Sequence, residues 1–166
     1  MENNYRVYSL LDSLNKKFGP HDFGRLCQIL LAITFKNMGY KISIFQLSGR
    51  PDMIVVKEDK RFFIEVKAPT CNQVTLKKED IEGVCNQGCS PIICINTYPE
   101  VKPKWIFLDA NKIKQGTFRS TSLEKYNIKE VQEEINNTFS LILEKYHENS
   151  LNGVDCLRRI LDHLNF

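Results

Sequence analysis

The alternation of hydrophobic and polar positions predicts two helices at the start of the chain. Apolar side chains recur every third residue at Tyr5, Tyr8, Leu11 and Leu14. This spacing predicts an amphipathic helix over residues 3–17, which Gly19-Pro20 would end. A second apolar stripe over residues 23–34 predicts another helix, with Asp22 as its N-cap and Gly39 near its end.

Three short segments then show the pattern of β-strands. They are KISIFQL at 41–47, residues 51–57 and residues 61–67, and the polar KEDK at 57–60 fits a hairpin turn between the last two. In the third strand, Phe63, Glu65 and Lys67 share one face, opposite Phe62, Ile64 and Val66. The charged face is either the solvated side of an amphipathic strand or a functional surface.

The second half of the chain predicts a crossover followed by helices. The pattern predicts a helix over residues 75–86, which leads into the apolar PIICI at 91–95. It also predicts an edge strand for KWIFLDA at 104–110, because prolines precede this segment. Helices over 123–147 and 151–164 would follow. The apolar stripe from Val131 to Tyr146 either packs on the chain's own sheet or contributes to a homodimer.

These elements predict an α/β fold in which helices flank a small mixed sheet. The length of 166 residues and the 42% hydrophobic composition suit one well-formed core. We therefore expect a single domain over residues 1–166. Its core would cover about 20–110, and the C-terminal helices of about 123–164 would form an appendage.

Charge is distributed unevenly along the chain. The net charge is +3, but residues 1–119 carry 18 Lys/Arg against 12 Asp/Glu, whereas residues 120–166 carry 5 against 8. A basic surface in the first part favours a polyanionic partner.

The N-terminal sequence and the cysteines bear on the location of the protein. MENNYRVYSLLDSL lacks the layout of a signal peptide, and the longest apolar run, residues 29–33, is too short for a membrane span. We therefore expect a soluble cytoplasmic protein without a membrane partner. The spacing of Cys85, Cys89 and Cys94 does not fit a zinc knuckle, and simple burial explains these residues better.

Asp52, Glu65 and Lys67 are the candidates for chemistry. If the strands at 51–57 and 61–67 pair, the two carboxylates converge, and each raises the proton affinity of the other unless a cation lies between them. Mg²⁺ takes carboxylate and phosphate oxygens, and Lys67 adds a positive charge on the same face. This combination suits a phosphodiester substrate. Alternatively, Asp52 bonds its own turn and the other two residues belong to a solvated strand face.

The same residues resemble a known family. Gly49-Arg50-Pro51-Asp52, followed after twelve residues by Glu65-Val66-Lys67, resembles the PD-(D/E)xK nuclease superfamily. The likeness is to its Holliday-junction-resolvase and Mrr-like restriction endonuclease branch, in which a Gly-Tyr pair such as Gly39-Tyr40 ends the helix before the first strand. The resemblance covers roughly residues 20–110. It implies a restriction-endonuclease-like core and metal-dependent hydrolysis of phosphodiester bonds.

The resemblance also implies a role for each matching position. Asp52 and Glu65 would bind Mg²⁺ or Mn²⁺, with the carbonyl of Val66 as a further ligand. Lys67 would orient the attacking water and offset charge in the transition state. Many relatives carry a glutamate about eleven residues before the Gly-Tyr pair, where this chain has Gln28. Its carbonyl oxygen can still reach a metal ion, but it brings no charge.

The expected activity is that of a Mg²⁺- or Mn²⁺-dependent DNA endonuclease, either resolvase-like or part of a restriction or defence system. Arg50, Lys77 and Lys78 would bind DNA phosphates, although plain solvation explains the two lysines equally well. The alternative, which Gln28 favours, is a nuclease-like fold that binds nucleic acid or a partner protein without cutting.

Overall fold

The computed structural model describes residues 2–85 and 90–164, and it begins with the long helix α1 (Glu2–Asn37). Gly19 interrupts this helix with φ 75° and ψ 177°, a conformation that glycine adopts without strain. The interruption lies where the sequence predicts one helix to end and another to begin. The second segment resumes at Pro20, so Asp22 lies within its first turn and is not its cap, which corrects the prediction from sequence.

The centre of the molecule is a mixed β-sheet. The described strands are β1 (Lys41–Phe45), β2 (Met53–Lys57), β3 (Lys60–Lys67), β4 (Gln73–Leu76), β5 (Ser90–Asn96), β6 (Trp105–Asp109) and β7 (Gly116–Arg119). Five of them form one sheet in the order β1-β2-β3-β5-β6, in which β3 and β5 are parallel and the other pairs are antiparallel. The predicted hairpin and the predicted edge strand β6 are confirmed.

The connection from β3 to β5 differs from the predicted single helix. Residues 73–76 form β4, which pairs with β7 in a separate two-stranded sheet, and α2 (Lys78–Cys85) begins only after it. The prediction of a helix from residue 75 is therefore wrong. Val74 and Leu76 are buried while their neighbours Gln73 and Thr75 are exposed, which is the period of a strand.

Two helices follow the sheet at the C-terminal end, α3 (Lys129–Ser150) and α4 (Val154–His163). Both begin later than predicted, because residues 120–126 form a 3₁₀ helix and Gly153, with φ 95°, precedes α4. The buried stripe of α3 comprises Ile135, Phe139, Ile142 and Leu143. It packs within the chain, mainly against α1, and the side chain of Val131 lies outside the described part.

Both faces of the sheet are covered. One hydrophobic cluster contains Ile64 with residues of α1, α3 and α4, and the other contains Phe63 with residues of α2, β4 and the segment after β6. Successive residues of β3 therefore enter different cores. The predicted α/β class, a small mixed sheet flanked by helices with further helices at the C-terminal end, is confirmed. Within residues 2–85 and 90–164, no helix has the length and apolar character needed to cross a membrane.

Candidate active site

Asp52 and Glu65 lie opposite each other on neighbouring strands. β2 and β3 pair with Met53 opposite Ile64, so the register places Asp52 against Glu65 one residue further on. Cross-strand neighbours project to the same side of a sheet. Asp52 is 8% exposed and Glu65 4%, because helices cover both faces at this point. The solvated strand face that the sequence left open for Glu65 is therefore excluded.

One fully buried carboxylate oxygen of this pair has no hydrogen-bond partner among the described residues. Asp52 Oδ2 accepts a hydrogen bond from the Val66 backbone N–H at 2.7 Å, and Glu65 Oε1 accepts one from Lys67 Nζ at 2.9 Å. Glu65 Oε2 is fully buried and has no such partner. An unpaired buried carboxylate oxygen is energetically costly, and it is the type of ligand that a hard cation takes.

Burial raises the pKa of both carboxyl groups. The pKa of Asp52 rises to about 6 and that of Glu65 to about 7, in both cases chiefly through the loss of solvation. The negative charge of Asp52 raises the pKa of Glu65 further, whereas the charge of Lys67 opposes the rise at both residues. Near neutral pH, Glu65 is therefore divided between its protonated and ionised forms, and a bound cation would favour the ionised one.

Lys67 lies between Glu65 and a third carboxylate, Asp80. Its Nζ is 2.9 Å from Glu65 Oε1 and 3.0 Å from Asp80 Oδ1. Loss of solvation lowers the pKa of Lys67, but the two carboxylates outweigh it and raise the pKa above its ordinary value. Lys67 is thus a fixed, protonated ammonium at the border of the carboxylate pair.

Asp80 joins three parts of the chain, and sequence reasoning missed it. Its Oδ1 also accepts hydrogen bonds from Arg50 Nε at 3.2 Å and Arg50 Nη2 at 3.0 Å, and its Oδ2 accepts one from the Lys77 backbone N–H at 2.9 Å. Burial raises its pKa, but these hydrogen bonds outweigh burial and the pKa is lowered. The signal in the sequence was its position three residues after Lys77 at the start of α2, where an acidic side chain reaches back to the helix cap.

Gln28 reaches the loop that carries Asp52. Its Nε2 donates a hydrogen bond to the Gln46 carbonyl at 2.6 Å, and the Gln46 backbone N–H donates one to the Asp52 carbonyl at 2.9 Å. The Gln46 side chain also donates to the Pro51 carbonyl at 2.7 Å. The count back from Gly39 therefore leads to a buried residue whose amide nitrogen fixes this loop, and its role as a metal ligand stays a prediction.

The predicted DNA-binding cations border the same region. The side chain of Arg50 is 41% exposed although its guanidinium is held by Asp80, and Lys77 and Lys78 are exposed at the start of α2. Lys78 Nζ lies 3.4 Å from Glu82 Oε1 in a surface pair, which is worth little energetically.

The possible metal ligands are few. Among residues 2–85 and 90–164, no three His, Cys, Asp or Glu side chains form a metal-ligating group. A cation at this site would rely on Asp52 and Glu65, and on backbone or amide oxygens for its remaining ligands. Cys85 and Cys94 are free thiols, and Cys89 lies outside the described residues.

Comparison with solved structures finds a distant similarity, whereas the other two comparisons find none. No protein-family model matches the chain, and no curated protein matches it. Among solved structures, the chain is similar to Hjc, a Holliday junction resolvase from the archaeal hyperthermophile Archaeoglobus fulgidus. The sequences are 14% identical, the match covers 61% of this chain and 86% of that one, and the TM-score is 0.48.

Proposed function

We propose that this protein is a metal-dependent nuclease of the PD-(D/E)xK type that hydrolyses phosphodiester bonds in DNA. The observation that carries the proposal is the buried pair of Asp52 and Glu65, in which Glu65 Oε2 has no partner among the described residues and Lys67 lies alongside. The raised pKa values of these two facing carboxyl groups mean that the folded protein disfavours their ionised forms. A divalent cation between them would reverse this preference.

The residues present fit such a cation. Asp52 and Glu65 supply carboxylate oxygens, and the carbonyl of Val66 and the amide oxygen of Gln28 are the further candidates. All are hard oxygen ligands of the kind that Mg²⁺ and Mn²⁺ bind. When bound, the ion would polarise the phosphate and lower the pKa of a coordinated water.

The remaining charged residues act on the substrate directly. Lys67 is protonated at neutral pH because its pKa is raised, so it serves as a hydrogen-bond donor and a positive charge for the phosphate in the transition state, and not as a base. The Arg50 side chain is partly exposed, so it can also approach a phosphate oxygen. Lys77 and Lys78 would bind neighbouring phosphates and set the position of the strand.

A protein of this fold that binds nucleic acid or a partner protein without cutting is the second candidate. Gln28 favours it, because this side chain brings no charge to the site and its nitrogen is bonded to the Gln46 carbonyl. The two candidates differ in whether Asp52 and Glu65 are needed for an observable reaction.

The test is cleavage of labelled linear, branched and single-stranded DNA in Mg²⁺, in Mn²⁺ and in EDTA. We expect cleavage only with metal, and its loss in Asp52→Asn and Glu65→Gln. DNA binding in EDTA should persist or strengthen in both variants, because repulsion between carboxylate and phosphate is relieved. Glu144→Gln, a partly exposed glutamate on α3 that pairs with Arg6, is the matched control and should cleave normally. DNA binding without cleavage of any substrate, unchanged in Asp52→Ala, would establish the second candidate instead.

A further inference from the structure

We propose that Asp80 is a positioning residue, which holds the Lys67 ammonium and the Arg50 guanidinium where the phosphodiester must bind. The inference rests on the proposed function. Asp80 is 1% exposed, and both of its carboxylate oxygens accept hydrogen bonds from the described residues. A carboxylate buried to this degree is stable only with such partners.

Asp80 gives Lys67 an anchor that is independent of the candidate metal ligands. Lys67 Nζ has two carboxylate partners, Glu65 Oε1 and Asp80 Oδ1, on β3 and α2 respectively. Glu65 is also the proposed cation ligand, so its hold on Lys67 competes with the metal ion. Asp80 has no such second task. It therefore keeps the ammonium in place when Glu65 turns its charge toward the cation.

The path of Arg50 to Asp80 is built into α2. A Cβ atom at Gly83 would lie 2.6 Å from Arg50 Cβ and 2.8 Å from Arg50 Cδ, far inside contact distance. The stem of Arg50 thus crosses the helix directly over Gly83. Glycine inside a helix lowers helix stability by about 1 kcal/mol relative to alanine. In α2 this loss occurs at the position where the Arg50 side chain needs the space.

The alternative is a purely structural role for Asp80, since Asp80 Oδ2 also accepts a hydrogen bond from the Lys77 backbone N–H at the start of α2. The two roles predict different effects of replacing Asp80 with asparagine. Asp80→Asn keeps an acceptor oxygen for this N–H but removes the charge that the two cations share. A capping residue would therefore tolerate asparagine, whereas a positioning residue would not.

The first arm of the test is kinetic. In Asp80→Asn, we expect kcat at saturating DNA and Mg²⁺ to fall about 100-fold, since a displacement of about 1 Å at a catalytic group has this effect. KM should rise as well, because Arg50 loses its anchor and DNA affinity falls. Glu144→Gln, which also neutralises a carboxylate that accepts from an arginine Nε at 3.1 Å, should keep the wild-type kcat. A variant with normal kcat would show that Asp80 has only a structural role at the start of α2.

The second arm does not depend on activity. In ¹⁵N-labelled protein, the Lys67 Nζ–H and Arg50 Nε–H resonances, assigned through Lys67→Ala and Arg50→Ala, should be protected from exchange with water. In Asp80→Asn, the Arg50 signal should disappear, and the Lys67 signal should disappear when Mg²⁺ is present and competes for Glu65. Both signals should persist in Glu144→Gln. Persistence of both in Asp80→Asn overturns the inference even if the wild type cleaves DNA. Their loss upholds the positioning geometry, and an inactive wild type would then count against the proposed nuclease alone.

Gly83→Ala provides a second variant in case Asp80→Asn does not fold. It leaves Asp80, Lys67 and the cap in place but displaces Arg50, so the Arg50 signal should vanish, the Lys67 signal should remain and DNA affinity should fall. An unchanged Arg50 signal in Gly83→Ala would contradict the proposed path of this side chain.

Discussion

Replacing Glu65 with glutamine is expected to make the protein more stable at pH 8. The pKa of Glu65 rises from 4.5 to about 7 on folding, chiefly because the carboxyl group loses its solvation. Each pKa unit corresponds to about 1.4 kcal/mol, so ionised Glu65 disfavours the folded state by about 3 kcal/mol. Glutamine has a similar shape and never carries this charge, and the Glu65→Gln variant should recover a free energy of unfolding of this order.

The pH dependence has a defined sign. The folded pKa lies above the unfolded one, so the folded state binds more protons between pH 4.5 and about 7. Wild-type stability therefore falls as the pH rises through this window. Below pH 4.5 the group is protonated in both states and has no effect. Asp52, with a pKa raised from 3.8 to about 6, acts in the same direction in both proteins. The difference between the two proteins therefore reports the charge of Glu65 together with its repulsion of Asp52.

Urea unfolding followed by circular dichroism in EDTA, at intervals from pH 4 to 8, measures the difference. The advantage of Glu65→Gln over wild type should be near zero at pH 4 and grow to about 3 kcal/mol at pH 8. Glu144→Gln should follow the wild-type curve. If Glu65→Gln is no more stable than the wild type at pH 8, the inference that Glu65 is a buried carboxylate without sufficient compensation is refuted.

The same measurement tests the proposed cation. At pH 8, Mg²⁺ at 100 times its dissociation constant should stabilise the wild type by about 2.7 kcal/mol, because the ion binds only the folded state. Glu65→Gln should gain much less from the ion. Equal stabilisation of both proteins would mean that the ion binds elsewhere.

Three further outcomes are expected. Gln28→Glu gives a negative charge to the amide side chain that is proposed as a ligand, so it should lower the Mg²⁺ concentration needed for cleavage or change the preference between Mg²⁺ and Mn²⁺. An unaltered metal titration would mean that this residue only packs. Lys77→Ala combined with Lys78→Ala should weaken DNA binding and reduce the slope of log affinity against log salt by about 0.9 for each phosphate that is no longer neutralised, with little effect on cleavage at saturating protein. Asn136→Ala removes the amide that bonds both backbone groups of Trp105 on the edge strand β6, so chemical denaturation should show a loss of about 1–3 kcal/mol.

The strands of the large sheet were predictable because their patterns are local. The apolar runs at 91–95 and 104–110 are short, bounded by polar residues or proline, and buried on both faces, so they form β5 and β6 almost as expected. The hairpin of β2 and β3 turns at the two residues Glu58 and Asp59, within the KEDK segment that was expected to turn. Its register followed from the turn, and the register brought Asp52 and Glu65 together.

What the sequence could not show depends on pairing over long distances. β4 is only four residues long, and its partner β7 lies more than 40 residues later, with Val74 opposite Phe118. Nothing local distinguishes QVTL from the start of the helix that follows it. Asp80 was missed for a similar reason, because KKED is a polar run that normally lies in solvent, and only the approach of β3 and the Arg50 loop buries its aspartate.

The three carboxylates of the candidate site fall into two kinds. Asp80 has hydrogen bonds on both oxygens and a lowered pKa, as expected of a carboxylate that holds cations in place. Asp52 and Glu65 lie within the same cluster but have raised pKa values, and Glu65 Oε2 has no partner among the described residues.

Three negative and two positive side chains leave the cluster with a net charge of −1 when all are ionised. Both cations are bonded to Asp80, whereas the facing pair receives only one of these ion pairs, from Lys67 to Glu65 Oε1. Neighbouring acids whose environments move their pKa values in opposite directions are characteristic of sites in which each acid has a different role. A divalent cation would have its largest effect at Asp52 and Glu65, whose pKa values are raised.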